Sequence, residues 1–145
     1  MRKFLPAVVI ACCSCTTTAI ALPEDLATSR DQVSAAARSA RRTQARMEED
    51  HRAWAAACGA AEACAPDVAQ DLGIVRLHEI LVKEMENASA EADENCEQVT
   101  HQRLDLATGR GRLADAERKR IRISADLDRA EEDHDRLGAH LHPSK

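Results

Sequence analysis

Between positions 113 and 141 the apolar residues recur at alternating steps of three and four. They share one heptad frame: Leu113, Ala116, Ile123, Leu127, Ala130, Leu137 and Leu141. Only Arg120 and His134 place polar groups in this frame, and charged residues fill most other positions. A repeat of 3.5 residues held over about four heptads is typical of a helix that wraps another helix. The pattern predicts a coiled-coil helix over residues 112–141 whose apolar seam needs a partner.

A weaker seven-residue repeat predicts a first helix over residues 24–57. Its apolar positions are Leu26, Val33, Ala40, Met47 and Trp54, with Ala36 and Ala57 on a companion row. A narrow, alanine-rich stripe of this kind permits close helix packing but buries little area per residue.

A second helix is predicted over residues 66–108, because Pro66 suits a first helical turn and an apolar stripe follows it. The stripe consists of Ile74, Leu77, Leu81, Met85, Ala88, Ala92, Cys96 and Val99. Two glycines at the joint 109–111 weaken a helix, but the seven-residue step from Val99 through Leu106 to Leu113 continues across them. A continuous, weakened helix is therefore favoured over a turn at 109–111. Residues 142–145 are expected to fray.

Residues 58–65 are expected to form a loop closed by a Cys58–Cys64 disulfide. Six residues of continuous helix rise by about 9 Å, which exceeds the usual Cα separation in a disulfide of under about 7 Å. The bond therefore requires a helix break, for which Gly59 and Pro66 are suitably placed.

Blocks of charge favour an antiparallel hairpin of the first two helices. The first helix is basic over 30–46 and the second is acidic over 84–97, so folding back at 58–65 sets opposite charges together. A turn at 109–111 would place the acidic block 126–135 against acidic residues of the second helix. We therefore expect residues 112–141 to pair with a second copy or another coiled-coil protein; the alternative is that these charges coat a solvated surface.

The fold class that follows is all-α: an elongated helical hairpin or coiled coil behind an N-terminal signal or anchor helix. With 145 residues, one Trp, one Phe and no Tyr, the chain has few of the side chains that build a thick globular core.

The N-terminus has the pattern of an export segment. Arg2 and Lys3 precede nineteen uncharged residues, 4–22. Small residues at 19–21 favour cleavage as a signal peptide over residues 1–21. The same stretch is long enough to anchor the chain in an inner membrane, and the residues before Cys12 resemble a lipidation motif. A buried helix is the remaining alternative.

Export to a periplasmic or extracellular compartment suits a disulfide, since such bonds persist in oxidising environments. Of the three cysteines beyond residue 22, the third is Cys96. It is either a small buried apolar residue or an intermolecular link.

Candidate chemistry is sparse. His78 and Glu79 begin like a helical zinc-protease motif, but Val82 replaces the second histidine. His134, His140 and His142 are a candidate loose metal site, against the alternative of exposed histidines. A histidine at the seam would also make association sensitive to pH, and Arg120 there is a candidate selector of helix register.

No cofactor motif occurs in the sequence. The mild net charge and the lack of aromatic residues argue against a nucleic-acid partner.

The run TGRGRLADAER at residues 108–118, together with a basic start, one apolar segment and a cysteine-bearing coiled-coil body, resembles the inner-membrane spanin subunits of bacteriophage lysis cassettes. The resemblance implies a non-enzymatic rod that reaches an outer-membrane partner through its C-terminal region and promotes membrane fusion during lysis.

The sequence therefore predicts a non-enzymatic, exported interaction or structural protein, with a spanin-like lysis component as its most specific form. An exported helical-hairpin metal sensor or periplasmic chaperone is the alternative.

Overall fold

The described part of the chain folds as three long helices packed side by side, α1 (Glu24–Cys58), α2 (Ala65–Thr100) and α3 (Leu106–Leu141). The computed structural model describes residues 19–59 and 63–141. The helix α2 runs antiparallel to both neighbours, and each helix packs on the other two. The predicted all-α helical-hairpin class is thus confirmed.

Most of the predicted signal or anchor segment, including Cys12, lies outside the described residues, as do His142 and the rest of the tail. None of the three described helices is apolar enough over a sufficient length to cross a membrane.

The connection between α1 and α2 follows the expected chemistry. Gly59 ends α1 with a φ of 53°, a value that favours glycine. Pro66 lies in the first turn of α2, where its missing N–H costs nothing. Cys58 and Cys64 form a disulfide across this break, with their Cα atoms 6.1 Å apart.

Instead of one continuous helix leading into residues 109–111, the structure has a turn earlier in the chain. Residues 109–111 lie inside α3, whereas α2 ends at Thr100 and the chain reverses over residues 101–105. Gln102 adopts a left-handed φ of 55° at this turn. The Asp105 carboxylate then accepts the backbone N–H of Thr108 (2.9 Å) and its hydroxyl (2.6 Å), which caps the start of α3. These bonds from Thr108 hold the pKa of Asp105 below its ordinary value.

Gly109 has a packing role instead of the expected hinge role. A Cβ at this position would lie 2.5 Å from the Val99 Cγ2 atom, so the glycine lets the start of α3 approach the end of α2 closely. The seven-residue step that suggested one continuous helix therefore spans a tight helix–turn–helix contact.

The apolar core is a series of layers between the helices. One layer joins Ala37 and Ala40 of α1 to Val82 and Met85 of α2 and to Ile123 and Leu127 of α3. Others are formed by Val33, Ala88, Ala92 and Ala116, and by Leu26, Cys96, Val99 and Leu113.

The heptad seam of α3 is therefore buried by the chain's own α1 and α2. The sequence predicts an external partner for this seam, because a turn at 109–111 would oppose like charges. Turning at 101–105 shifts the register, so that Lys119 of α3 pairs with Glu91 of α2 (2.6 Å). The acidic block of α3 instead meets α1, where Arg46 pairs with Glu131 (2.5 Å) and Asp135 (3.2 Å).

The predicted charge matching of the first two helices is present but loose. Arg30 lies 3.9 Å from Asp93, and Arg41 lies 3.6 Å from Glu86. Exposed pairs of this kind contribute about 0.2–1 kcal/mol each, so they select the helix arrangement more than they stabilise it.

Candidate functional site

A buried polar layer centred on Asp71 joins all three helices near the disulfide end of the bundle. The Asp71 side chain of α2 is fully buried. One carboxylate oxygen accepts the Nδ1–H of His134 from α3 at 2.6 Å, and the other accepts that of His51 from α1 at 2.7 Å. Because one carboxylate accepts donors from two other helices, this layer links all three helices at one level of the bundle.

The indole of Trp54 covers His134 in this layer. The two rings stack with their centroids 4.5 Å apart. Gly138, one turn after His134, leaves room for the indole: a Cβ there would lie 2.4 Å from Cζ2. The Nε2 atom of His134 has no hydrogen-bond partner among the described residues, and its nearest carboxylate, that of Asp50, lies 3.6 Å away. That separation is too long for a hydrogen bond.

A second buried polar group lies two helical turns along α2. The Nδ1–H of His78 donates to the Oε1 atom of Gln44 (2.7 Å), whose amide donates in turn to Glu48 (2.7 Å). Both His78 and Gln44 are about 1% exposed. His78 therefore occupies a core position of α2. Burial disfavours its charged form and lowers the pKa of His78.

The lowered pKa of His78 predicts that acid weakens the fold. Glu131 favours the charged ring, but desolvation outweighs it, and His134 and Arg46 add to the lowering. The unfolded chain therefore takes up this proton more readily, and stability should fall as pH drops below about 6.5. We expect urea unfolding at about pH 7.5 and about pH 5.5 to show a larger loss for the wild type than for His78→Gln. An equal loss in both proteins would contradict the assignment.

Two of the three histidines of the candidate metal site, His134 and His140, lie in the described part of the chain. His134 is buried on Asp71, while His140 is exposed beside a groove that is also lined by Cys58, Cys64 and Asp67. Within the described residues, no group of three metal-ligating side chains is found. The heptad pattern placed His134 on the seam correctly, and the metal site that combines it with His140 and His142 stays a prediction, because His142 lies outside the described residues.

The other candidate residues have local roles. Arg120 is half-buried and forms two bonds with Glu117 of its own helix, at 2.9 and 2.6 Å, so its ion pair does not select a neighbouring helix.

Cys96 is 3% exposed and packs near Leu26, and this burial raises the pKa of its thiol. The fold therefore favours the buried apolar alternative for Cys96 over an intermolecular link.

Two large apolar side chains of α2 face away from the bundle. Leu77 is 51% exposed and Ile80 is 56% exposed, although both belong to an otherwise well-packed helix. The sequence pattern predicts Leu77 in the core stripe, but the inward positions here belong to Val75, His78 and Val82. Together with Glu84, one turn further along, Leu77 and Ile80 form what we call the outer face of α2.

Comparisons with protein-family models, with curated proteins and with solved structures found no match to this chain.

Proposed function

We propose that this chain is a non-catalytic interaction protein that binds a protein partner through the outer face of α2. The observation that supports this most directly is the exposure of Leu77 and Ile80, on a helix whose inner face is already filled by the other two helices. Neighbouring large apolar residues on one exposed helix face are characteristic of docking surfaces, whereas single exposed ones are ordinary.

The buried layer supports a structural role for the polar residues that first suggest chemistry. Both carboxylate oxygens of Asp71 accept hydrogen bonds from histidines. The side-chain amide of Gln44 accepts one from His78 and donates one to Glu48. We propose that these groups hold three helices in one register, so that the outer face of α2 is presented as a rigid strip.

We also propose that the protein works outside the cytoplasm, in a periplasmic or extracellular space. Support comes from the basic start followed by the apolar run of residues 4–22, and from the Cys58–Cys64 pairing, which an oxidising compartment would preserve. Mass spectrometry of the mature protein under non-reducing conditions should show an intact disulfide, together with the state of the N-terminus. Two free thiols at these positions would contradict the proposal.

A spanin-like role in lysis is the narrower form of this proposal. It draws on the resemblance carried by residues 108–118, which form the start of α3. It remains a prediction, and the binding role of α2 stands or falls independently of it.

Site-specific photo-crosslinking tests the binding role directly. A photoreactive amino acid at position 77 or 80, introduced into the full-length protein in its own cells, should yield a discrete covalent adduct. The matched control is position 45, an exposed alanine on α1. Adducts at 77 and 80 but not at 45 are expected, with the captured protein identified by mass spectrometry. Equal yields at all three positions, or no adduct, would overturn the proposal.

A further inference from the structure

The outer face of α3 carries a surface that complements the outer face of α2. Ile121 is 57% exposed and points away from the core, whose α3 contribution at this level is Ile123. Arg118, three residues before it, and Ala125, four residues after it, share this exposed face. We call Arg118, Ile121 and Ala125 the outer face of α3.

Neither of the two outer faces can be covered by the other within one molecule. The inner sides of α2 and α3 pack on each other through Val82 and Ile123, so their outer faces point in different directions. Arg118 forms an ion pair with Asp115 of its own helix, one turn away, and both side chains are mostly exposed. An occupant of either face must therefore come from outside the bundle.

We propose that this occupant is a second copy of the chain, with the outer face of α2 in one copy packed against the outer face of α3 in the next. This rests on the proposed role of α2 as a docking surface and names its partner. We set the two helices antiparallel, with Ile80 of one copy opposite Ile121 of the other. The residues one turn before and one turn after this contact are then also opposite each other.

The resulting register is complementary on both sides of the apolar contact. One turn toward the C-terminus of α2, Glu84 meets Arg118 of the other copy, and opposite charges favour this alignment. One turn the other way, Leu77 meets Ala125, a small residue that leaves room for the larger one. A parallel alignment of the same two helices would instead place Glu84 near Ala125 and Leu77 near Arg118.

The proposed contact uses different surfaces on its two sides, so it is heterologous. Each copy keeps one unused face after pairing, so further copies can add. The assembly then either closes into a ring or grows as an open chain. Only a few helical turns are in contact. An interface below about 1,200 Å² is the size class of weak, reversible complexes, so assembly should depend on concentration.

Sedimentation velocity over a concentration series tests this assembly. The wild type should shift reversibly to species larger than a dimer. Ile80→Asp and Ile121→Asp should each remain monomeric. Leu106→Asp is the matched control, since Leu106 is 38% exposed on α3 but lies outside the outer face, and it should associate as the wild type does. Circular dichroism confirms that each variant keeps its helices.

A mixture of the two aspartate variants is the sharper test. The Ile121→Asp protein retains an intact α2 face and the Ile80→Asp protein an intact α3 face, so together they should form a one-to-one dimer and nothing larger. Glu84→Arg should weaken wild-type association by about threefold to tenfold, and Arg118→Glu in the same chain should restore it.

Wild-type protein that stays monomeric throughout would overturn self-assembly. So would a mixture that forms no dimer, or an association that Ile80→Asp leaves intact. The binding role of α2 is judged separately by the crosslinked partner. An adduct with a different protein would support that role and overturn the second copy as its occupant, whereas an adduct between copies supports both.

Discussion

Replacing Asp71 with alanine is expected to lower the free energy of unfolding by about 2–5 kcal/mol. The substitution removes the acceptor of two short bonds and leaves the Nδ1–H groups of His51 and His134 without it, the latter in a fully buried ring. Domains of this size have a total stability of about 5–15 kcal/mol, so a loss of this size is a large fraction of the total. Urea titration followed by helical circular dichroism measures the difference.

Two further variants separate the buried layer from a general effect of charge. Asp71→Asn keeps the shape and one acceptor oxygen, so it should cost less than alanine does. Asp128→Ala removes an exposed carboxylate from α3 and should change stability by no more than about 0.5 kcal/mol. Equal costs for Asp71→Ala and Asp128→Ala would show that the layer does not hold the helices together.

Gly138→Ala is expected to destabilise the protein by about 1–3 kcal/mol, although alanine is the better helix former. Its Cβ would lie 2.4 Å from Cζ2 and 2.6 Å from Cη2 of Trp54. The indole is rigid and stacks on His134, so it cannot move aside without disturbing the buried layer. Thermal unfolding of the variant should show a lowered midpoint.

The matched control is Gly111→Ala in the same helix. Nothing lies within 4 Å of a Cβ at that position, so only helix propensity changes and stability should rise by up to about 1 kcal/mol. The same substitution is therefore expected to lower stability at position 138 and to raise it at position 111. A stabilised Gly138→Ala protein would contradict the packing of Trp54 against α3.

Heptad and seven-residue spacing predicted the inward faces of α1 and α3 well. Leu26, Val33 and Met47 are buried as expected, as are Leu113 and Ile123. These helices carry a single apolar stripe, so periodicity determines which side faces inward. The same information located His134 in the core before any contact was known.

Periodicity does not predict the inward face of the first half of α2, because this segment has two apolar sides. Ile74, Leu77 and Leu81 form as regular a stripe as the buried Val75 and Val82. Spacing alone cannot rank two such stripes. The inward side was determined by polar pairing across helices, in which Asp71 and His78 meet residues that are distant in sequence. Asp71 and His78 lie seven residues apart, which places them on one face of α2 and is a local sign of this layer.

The sequence does contain a local indication of the turn at 101–105. Asp105 lies three residues before Thr108, the spacing of a helix cap, but the glycines at 109 and 111 drew attention to the wrong place. Glycine marks a turn in many chains, whereas here Gly109 and Gly138 lie inside a helix where a neighbouring side chain needs space. Sequence alone does not distinguish these two uses.

The helix α3 completes the bundle within its own chain, so that the heptad seam is closed before any partner binds. Nuclear Overhauser measurements on isotope-labelled protein mixed with unlabelled protein test this directly. We predict contacts from the Trp54 indole to the Gly138 Hα protons and to the His134 ring, all within one labelled chain. The absence of these contacts, or their appearance only between labelled and unlabelled chains, would contradict the account.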